Sequence, residues 1–217
     1  MKQRFFSGQT SGRGVLKAAA WIVGVCAALL LVSFTWDYTD RTWLAPRWSA
    51  RIIDTLDERT QTLDQQLSII DRAITAHPRN DYAWYLRARK LTEQKRYAEA
   101  AHLWAGLEGK LPSGLNELYR ADLGMCLLFA SRPVEALSCF EQTLHRRPEH
   151  VSSRVFMAAA YVKLGLPHRV RDEVKMLDTL RPDWREWFLG VPEWPDERKA
   201  AVQAIAPYLR ATTQPAD

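Results

Sequence analysis

Between positions 123 and 182 the chain repeats itself. Leu123, Gly124 and Leu127, followed by Ala136, Phe140, Thr143 and Pro148, stand 34 residues ahead of Met157, Ala158, Tyr161, Val170, Val174, Leu177 and Pro182. A fixed interval of this kind marks a unit that cannot bury its apolar face alone and stacks on copies of itself. The 217 residues are enough for such a stack with flanking segments, and enough to bury a sizeable core.

The residue types inside the period are specific. A small residue at position 8, another at 20, a bulky one at 24 and Pro at 32 resemble the tetratricopeptide repeat (TPR) family, whose unit is a helix–turn–helix. Three units can be laid down: 81–114, then 117–150 after a two-residue extension at Leu115 and Asn116, then 151–184. In the first, Trp84, Ala88, Leu91, Tyr97, Ala100, Trp104, Leu107 and Pro112 occupy positions 4, 8, 11, 17, 20, 24, 27 and 32. Pro133 and Pro167 open second helices, where a missing N–H costs nothing. Leu107, Leu177 and Val170 are bulkier than the family's usual residues, which predicts splayed helix pairs there. The resemblance implies an all-α fold, a TPR-type α-solenoid of about three repeats with leading and capping helices, working through protein–protein contacts.

Ahead of the repeats the chain changes character. Residues 1–17 carry Lys2, Arg4, Arg13 and Lys17 with no acid, so four of the five net positive charges lie there and the remainder is nearly neutral. That distribution predicts a basic cytoplasmic tail and argues against a nucleic-acid footprint. Residues 18–36 are uncharged. As a helix they would span about 28 Å, close to the hydrocarbon thickness of a bilayer. A cleaved signal peptide is the alternative, but Ser33-Phe34-Thr35-Trp36 is a poor cleavage site, so an uncleaved transmembrane signal-anchor is expected. The charge asymmetry puts the N-terminus in the cytoplasm and the repeats on the extracytoplasmic side, the periplasm in a bacterium. Ala20, Gly24 and Ala28 share one face of that helix at a spacing that permits close packing. Trp36, Tyr38, Trp43 and Trp48 in the membrane-proximal segment 37–60 suit a headgroup layer.

Ile53, Leu56, Thr60, Leu63, Leu67, Ile70 and Ile74 trace a heptad-like seam. Either it dimerises the chain as a short coiled coil, or it is a leading helix covering the first repeat; the interruption at Thr60 favours the second. The solenoid is expected over 61–211. Asp183 and Glu186 have capping-box spacing for a short helix, and Asp196 is placed to cap a final helix over 196–210 that Pro207 would kink; 212–217 reads as a disordered end.

A catalytic constellation cannot be assembled. Gly106 to Lys110 lacks the spacing and the Ser/Thr of a phosphate loop. The five histidines are scattered, and His145 and His150 flank a turn in a manner more typical of a solvated loop than of a metal site. Cys126 and Cys139 read as buried thiols, with a bridge as the alternative. No enzyme activity, cofactor, metal, nucleic acid or small-molecule substrate is therefore expected. The TPR resemblance, by contrast, implies a concave groove lined by positions 2, 5, 9, 12 and 13 of each first helix. It nominates Tyr82, Tyr85 and Arg89 in the first repeat, Leu118, Met125, Leu128 and Phe129 in the second, and Val155, Val162 and Lys163 in the third. An apolar middle with a basic residue towards each end suits an amphipathic helix or an extended apolar peptide, unless the chain's own terminal helices fill it. The function expected is a membrane-anchored scaffold or adaptor in envelope protein assembly or chaperoning. The alternative is a structural subunit of a larger membrane complex, held by its transmembrane helix and membrane-side aromatics.

Overall fold

The computed structural model describes residues 45–110 and 113–209, together with positions 22–23, 25–26 and 29–33. Side chains are described throughout these stretches except at residues 45 and 113–118. The helices from residue 45 onward are α1 (Ala45–Ile53), α2 (Leu63–Ala76), α3 (Asp81–Glu93), α4 (Tyr97–Gly106), α5 (Ser113–Phe129), α6 (Pro133–Arg146), α7 (Val151–Lys163), α8 (Pro167–Leu180), α9 (Trp184–Gly190) and α10 (Pro195–Leu209). No strand occurs among the described residues. Each helix packs on the next from α1 to α8, and α10 returns onto α7 and α8.

Local chemistry sets the boundaries of these helices. Pro133 and Pro167 are the first residues of α6 and α8. The first helix of every repeat closes with the same hydrogen-bond pair. Arg96 N–H donates to the Leu91 carbonyl and Lys95 N–H to Thr92; Arg132 and Ser131 repeat this on Leu127 and Leu128, and Leu166 and Gly165 on Tyr161 and Val162. This is a Schellman closure, which requires a left-handed residue just past the helix. Lys95, Ser131 and Gly165 supply it with φ of 60°, 62° and 68°. At the other end, Asn80 caps α3 by accepting from Ala83 N–H, and His150 caps α7 by accepting from Ser153 N–H through Nδ1. Position 4 stitches neighbouring repeats: Trp84 Nε1 donates to the Pro78 carbonyl at 2.9 Å, and Arg154 donates to the Pro148 carbonyl at 2.8 Å.

The small-and-bulky alternation in the period becomes the core. Ala88, Ala100, Trp104, Ala136, Phe140, Ala158, Val170, Val174 and Leu177 are all fully buried in one continuous cluster. Leu115 and Asn116 fall inside α5, so the insertion between repeats is absorbed as extra helix rather than as a loop.

Several sequence expectations are corrected. The seam over 53–74 is not one helix. After Ile53 the chain turns through residues 54–62, where Asp57 accepts from Arg59 N–H and from the Thr60 hydroxyl, and Thr62 and Gln65 form a reciprocal capping box that starts α2. A short polar turn of this kind satisfies more backbone groups than continuing the helix through Thr60 would. α1 then folds back on α2, fixed by Ser49 Oγ donating to the Ala73 carbonyl at 3.0 Å and by Asn80 Nδ2 donating to Ser49 Oγ at 2.7 Å. Thus part of the 37–60 segment belongs to the stack, and α2 covers α3 as the leading-helix arrangement requires. Asp183 makes no capping bond to α9. Asp196 lies inside the first turn of α10 rather than before it.

Among the described residues no helix is long and apolar enough to cross a membrane. Positions 22–23, 25–26 and 29–33 are helical, with Ile22, Val23, Leu29, Leu30, Leu31 and Val32 all exposed. Ala20, Gly24 and Ala28 lie outside the described residues, as do Trp36, Tyr38 and Trp43.

Candidate peptide-binding groove

The first helices of the three repeats, α3, α5 and α7, line one face, and residues 191–198 run across it. Trp194 is the centre of the crossing. Its indole Nε1 donates to Asp122 on α5 at 3.1 Å, and the Arg89 guanidinium of α3 lies 6.0 Å from its ring centroid. Arg89 sits equally over Tyr85, one turn before it on the same helix. Farther along, Arg198 donates to Ser152 Oγ on α7 at 3.2 Å. Where α10 begins, Lys95 pairs with Asp196 at 2.9 Å and the Tyr97 hydroxyl donates to Glu197.

The nominated residues divide into two groups. Met125, Leu128 and Val155 are at most 1% exposed and share a cluster with Phe188, Trp194, Ala201 and Ile205. The apolar middle of the face is therefore already core, covered by the chain's own C-terminal segment. Tyr82 stays half exposed and stacks on Tyr85 at 5.9 Å. Tyr85, Arg89, Phe129 and Val162 are half-buried. Lys163 is exposed, but its ammonium donates to the Leu128 carbonyl at 2.8 Å and lies 5.7 Å from the Phe129 ring centroid. The Leu118 side chain lies outside the described residues.

Asp122 and Trp194 are the functional candidates that position-by-position transfer from the family missed. Asp122 falls between the nominated positions. Its signal in the sequence was its isolation as the one acid in the otherwise apolar run from Ala121 to Phe129. By surface area the residue is only half-buried, yet neighbouring groups enclose its carboxyl. Burial pushes that carboxyl up to about 6, against the opposing pull of the Trp194 N–H, Arg89 and Arg198.

Two open clefts flank Trp194. One of about 400 Å³ lies among Arg89, Glu93, Lys95 and the segment 192–197. The other, of about 280 Å³, is bounded by Tyr85, Asp122, His150, Ser152 and Trp187. These clefts hold an aromatic slot, a carboxylate acceptor and basic side chains at one rim. His150 Nδ1 is taken up by its cap, and burial holds the ring below its ordinary range. Among the described residues no three His, Cys, Asp or Glu side chains gather as a metal site. Cys126 and Cys139 are free thiols, and burial pushes Cys126 up to about 12.

The fold these features define is a TPR-type α-solenoid. Solved structures similar to it include the MamA protein, with TM-score 0.54 at 10% identity over 80% of this chain and 97% of that one. MamA 41-end from Desulfovibrio magneticus RS-1 gives TM-score 0.54 at 14% identity over 81% and 98%. YrrB, described as a TPR protein with an unusual peptide-binding site, gives TM-score 0.50 at 16% identity over 70% and 84%. No protein-family model matches the sequence, and no curated protein matches it.

Proposed function

We propose that the protein is a non-enzymatic, membrane-anchored scaffold that holds a partner polypeptide against the face lined by α3, α5 and α7, on the extracytoplasmic side of a membrane. The observation that carries the binding half is the pair of clefts beside Trp194, where Tyr85 and Arg89 remain accessible next to the buried Met125, Leu128 and Val155. Aromatic and Arg side chains in concave surroundings are the residues that dominate recognition energies. YrrB's peptide-binding site supports a polypeptide as the ligand class.

The anchoring half is supported by the apolar side chains at positions 22, 23 and 29–32. All are exposed. Six such groups left in water would cost on the order of 10 kcal/mol, at about 1.5–3 kcal/mol per fully transferred side chain, which a bilayer removes. Trp48 on α1, 56% exposed with Arg51 stacked 5.5 Å away, matches a residue lying at a headgroup layer.

The test is capture of partners by the full chain from its native membranes. Tyr85→Ala combined with Arg89→Glu is expected to release the bound partners. Val134→Glu and Met176→Glu, at exposed apolar positions on the second helices α6 and α8, are expected to keep them. Loss in both sets, or in neither, would remove the groove from the account.

A further inference from the structure

The segment crossing the groove carries one aromatic and three acids, Glu193, Trp194, Asp196 and Glu197, and the face beneath it supplies a complement to each kind. Asp122 accepts the indole N–H, Tyr85 and Arg89 form the slot at the ring, Lys95 takes Asp196, and the Tyr97 hydroxyl takes Glu197. We infer that the groove is a receptor for an acidic peptide bearing a tryptophan, and that residues 193–197 are an intramolecular stand-in which such a ligand displaces. This rests on the groove reading and gives it a ligand chemistry.

Three observations mark the stand-in as exchangeable. First, Trp194 is held at φ 56°, in the left-handed region, which strains a bulky L-residue and persists only where surroundings enforce it. A ligand presenting its tryptophan from relaxed backbone avoids that strain. Second, the segment leaves the clefts of about 400 and 280 Å³ on either side of the indole unfilled, so a longer peptide has area still to bury. Third, the loop is closed upon itself. Arg198 Nε donates to the Glu193 carbonyl at 2.7 Å and its guanidinium lies 4.5 Å from the Phe188 ring centroid. Trp184, Phe188 and Ile205 are fully buried in the same cluster as Trp194, so the end of the core keeps three buried anchors when the indole leaves its seat on Asp122.

The acids of the segment face Arg89 and Lys95, with Glu93 of α3 lining the same cleft, so the preference for an acidic ligand rests on these two cations. The Lys95–Asp196 pair is more than half exposed, so it contributes little affinity and responds to salt. Selectivity comes from the enclosed indole–carboxylate bond, since a ligand lacking an N–H donor leaves Asp122 without its hydrogen bond.

The experiment titrates a fluorescein-labelled peptide with the sequence of residues 190–199 into the full chain in detergent and reads anisotropy. Trp194→Ala, which removes the internal competitor's anchor, is expected to bind the peptide at least tenfold more tightly than the wild-type chain. The same peptide with alanine in place of its tryptophan is expected not to bind. Adding Arg89→Glu to Trp194→Ala is expected to abolish binding. Asp196→Lys breaks only the exposed ion pair, and is expected to tighten binding two- to threefold, which keeps the inference open to test if Trp194→Ala loses its helical circular dichroism. Absence of saturable binding to both variants, equal binding of the alanine peptide, or a concentration-dependent dimer in which a second copy donates residues 193–197 would each overturn it. If Tyr85→Ala with Arg89→Glu releases native partners while the peptide neither binds nor competes, the groove reading stands and this ligand assignment alone falls.

Discussion

Asp122 is the residue at which burial, hydrogen bonding and ligand chemistry meet. Its carboxyl, raised from the ordinary 3.8 to about 6, binds a proton more readily in the closed fold than in the unfolded chain. The resulting stability is present in full below about pH 4 and is lost as pH rises through about 6. Two units correspond to at most about 3 kcal/mol, and the partial exposure of the residue reduces that to roughly 1–2 kcal/mol. Asp122→Asn keeps an acceptor for the Trp194 N–H and removes the charge. It is expected to flatten the urea-unfolding free energy between pH 4 and 7 and to add about 1–2 kcal/mol at pH 7.5. An unchanged pH profile would show the carboxyl to be solvated. Ser131 provides a second test at this scale. It occupies, at φ 62°, the Schellman position that Gly165 fills in the next repeat. Relief of left-handed strain outweighs the entropy of an added glycine, so Ser131→Gly is expected to raise stability by about 0.5–1 kcal/mol in the same measurement.

At the scale of helix pairs, the contact between α5 and α6 is set by the absence of a side chain at Gly124. A Cβ there would meet Phe140 Cε1 at 2.6 Å, and Phe140 is fully buried and cannot swing clear. Alanine in a helix interior gains about 1 kcal/mol over glycine, whereas overpacking a closed core costs about 1–3 kcal/mol, so the clash prevails. Gly124→Ala is expected to lower stability by about 1–2 kcal/mol, read as a shift of the urea midpoint; a rise would mean the two helices are free to separate. The same positions explain what the sequence revealed. Small residues at 88, 124 and 158 and prolines at 133 and 167 are local requirements of the repeat, so helices α3 to α8 could be placed from spacing alone. The turn over 54–62 could not, because the apolar spacing runs on through it; hydrogen bonds of Asp57, Thr60 and Thr62 decide it, and these carry no periodic signal. The short α9 was legible as a helix but not in its cap, since Asp183 has the right spacing without making the bond.

Across the whole molecule, the face lined by α3, α5 and α7 was legible from position in the repeat, and its state was not. Tyr85 and Arg89 line the clefts beside Trp194, whereas Met125, Leu128 and Val155 are buried in the cluster that includes Trp194 and Ile205. The covering segment follows a break in the period after Pro182, and its path depends on long-range contacts such as Trp194 to Asp122, 72 residues apart. About half of the segment 18–36 lies outside the described residues, and its role has a direct test. The full chain is expected to remain in the membrane pellet after an alkaline carbonate wash, and a chain lacking 18–36 to move to the supernatant; a full chain that washes off would remove the anchor. The central claim is that the protein works through the face its C-terminal segment crosses. Site-specific photo-crosslinking in native membranes tests it most directly, with the photoreactive residue placed in turn at Tyr82, Lys163, Val134 and Met176. Adducts to a second protein from Tyr82 and Lys163, and none from Val134 or Met176, are the predicted result. Adducts confined to Val134 and Met176 would contradict it.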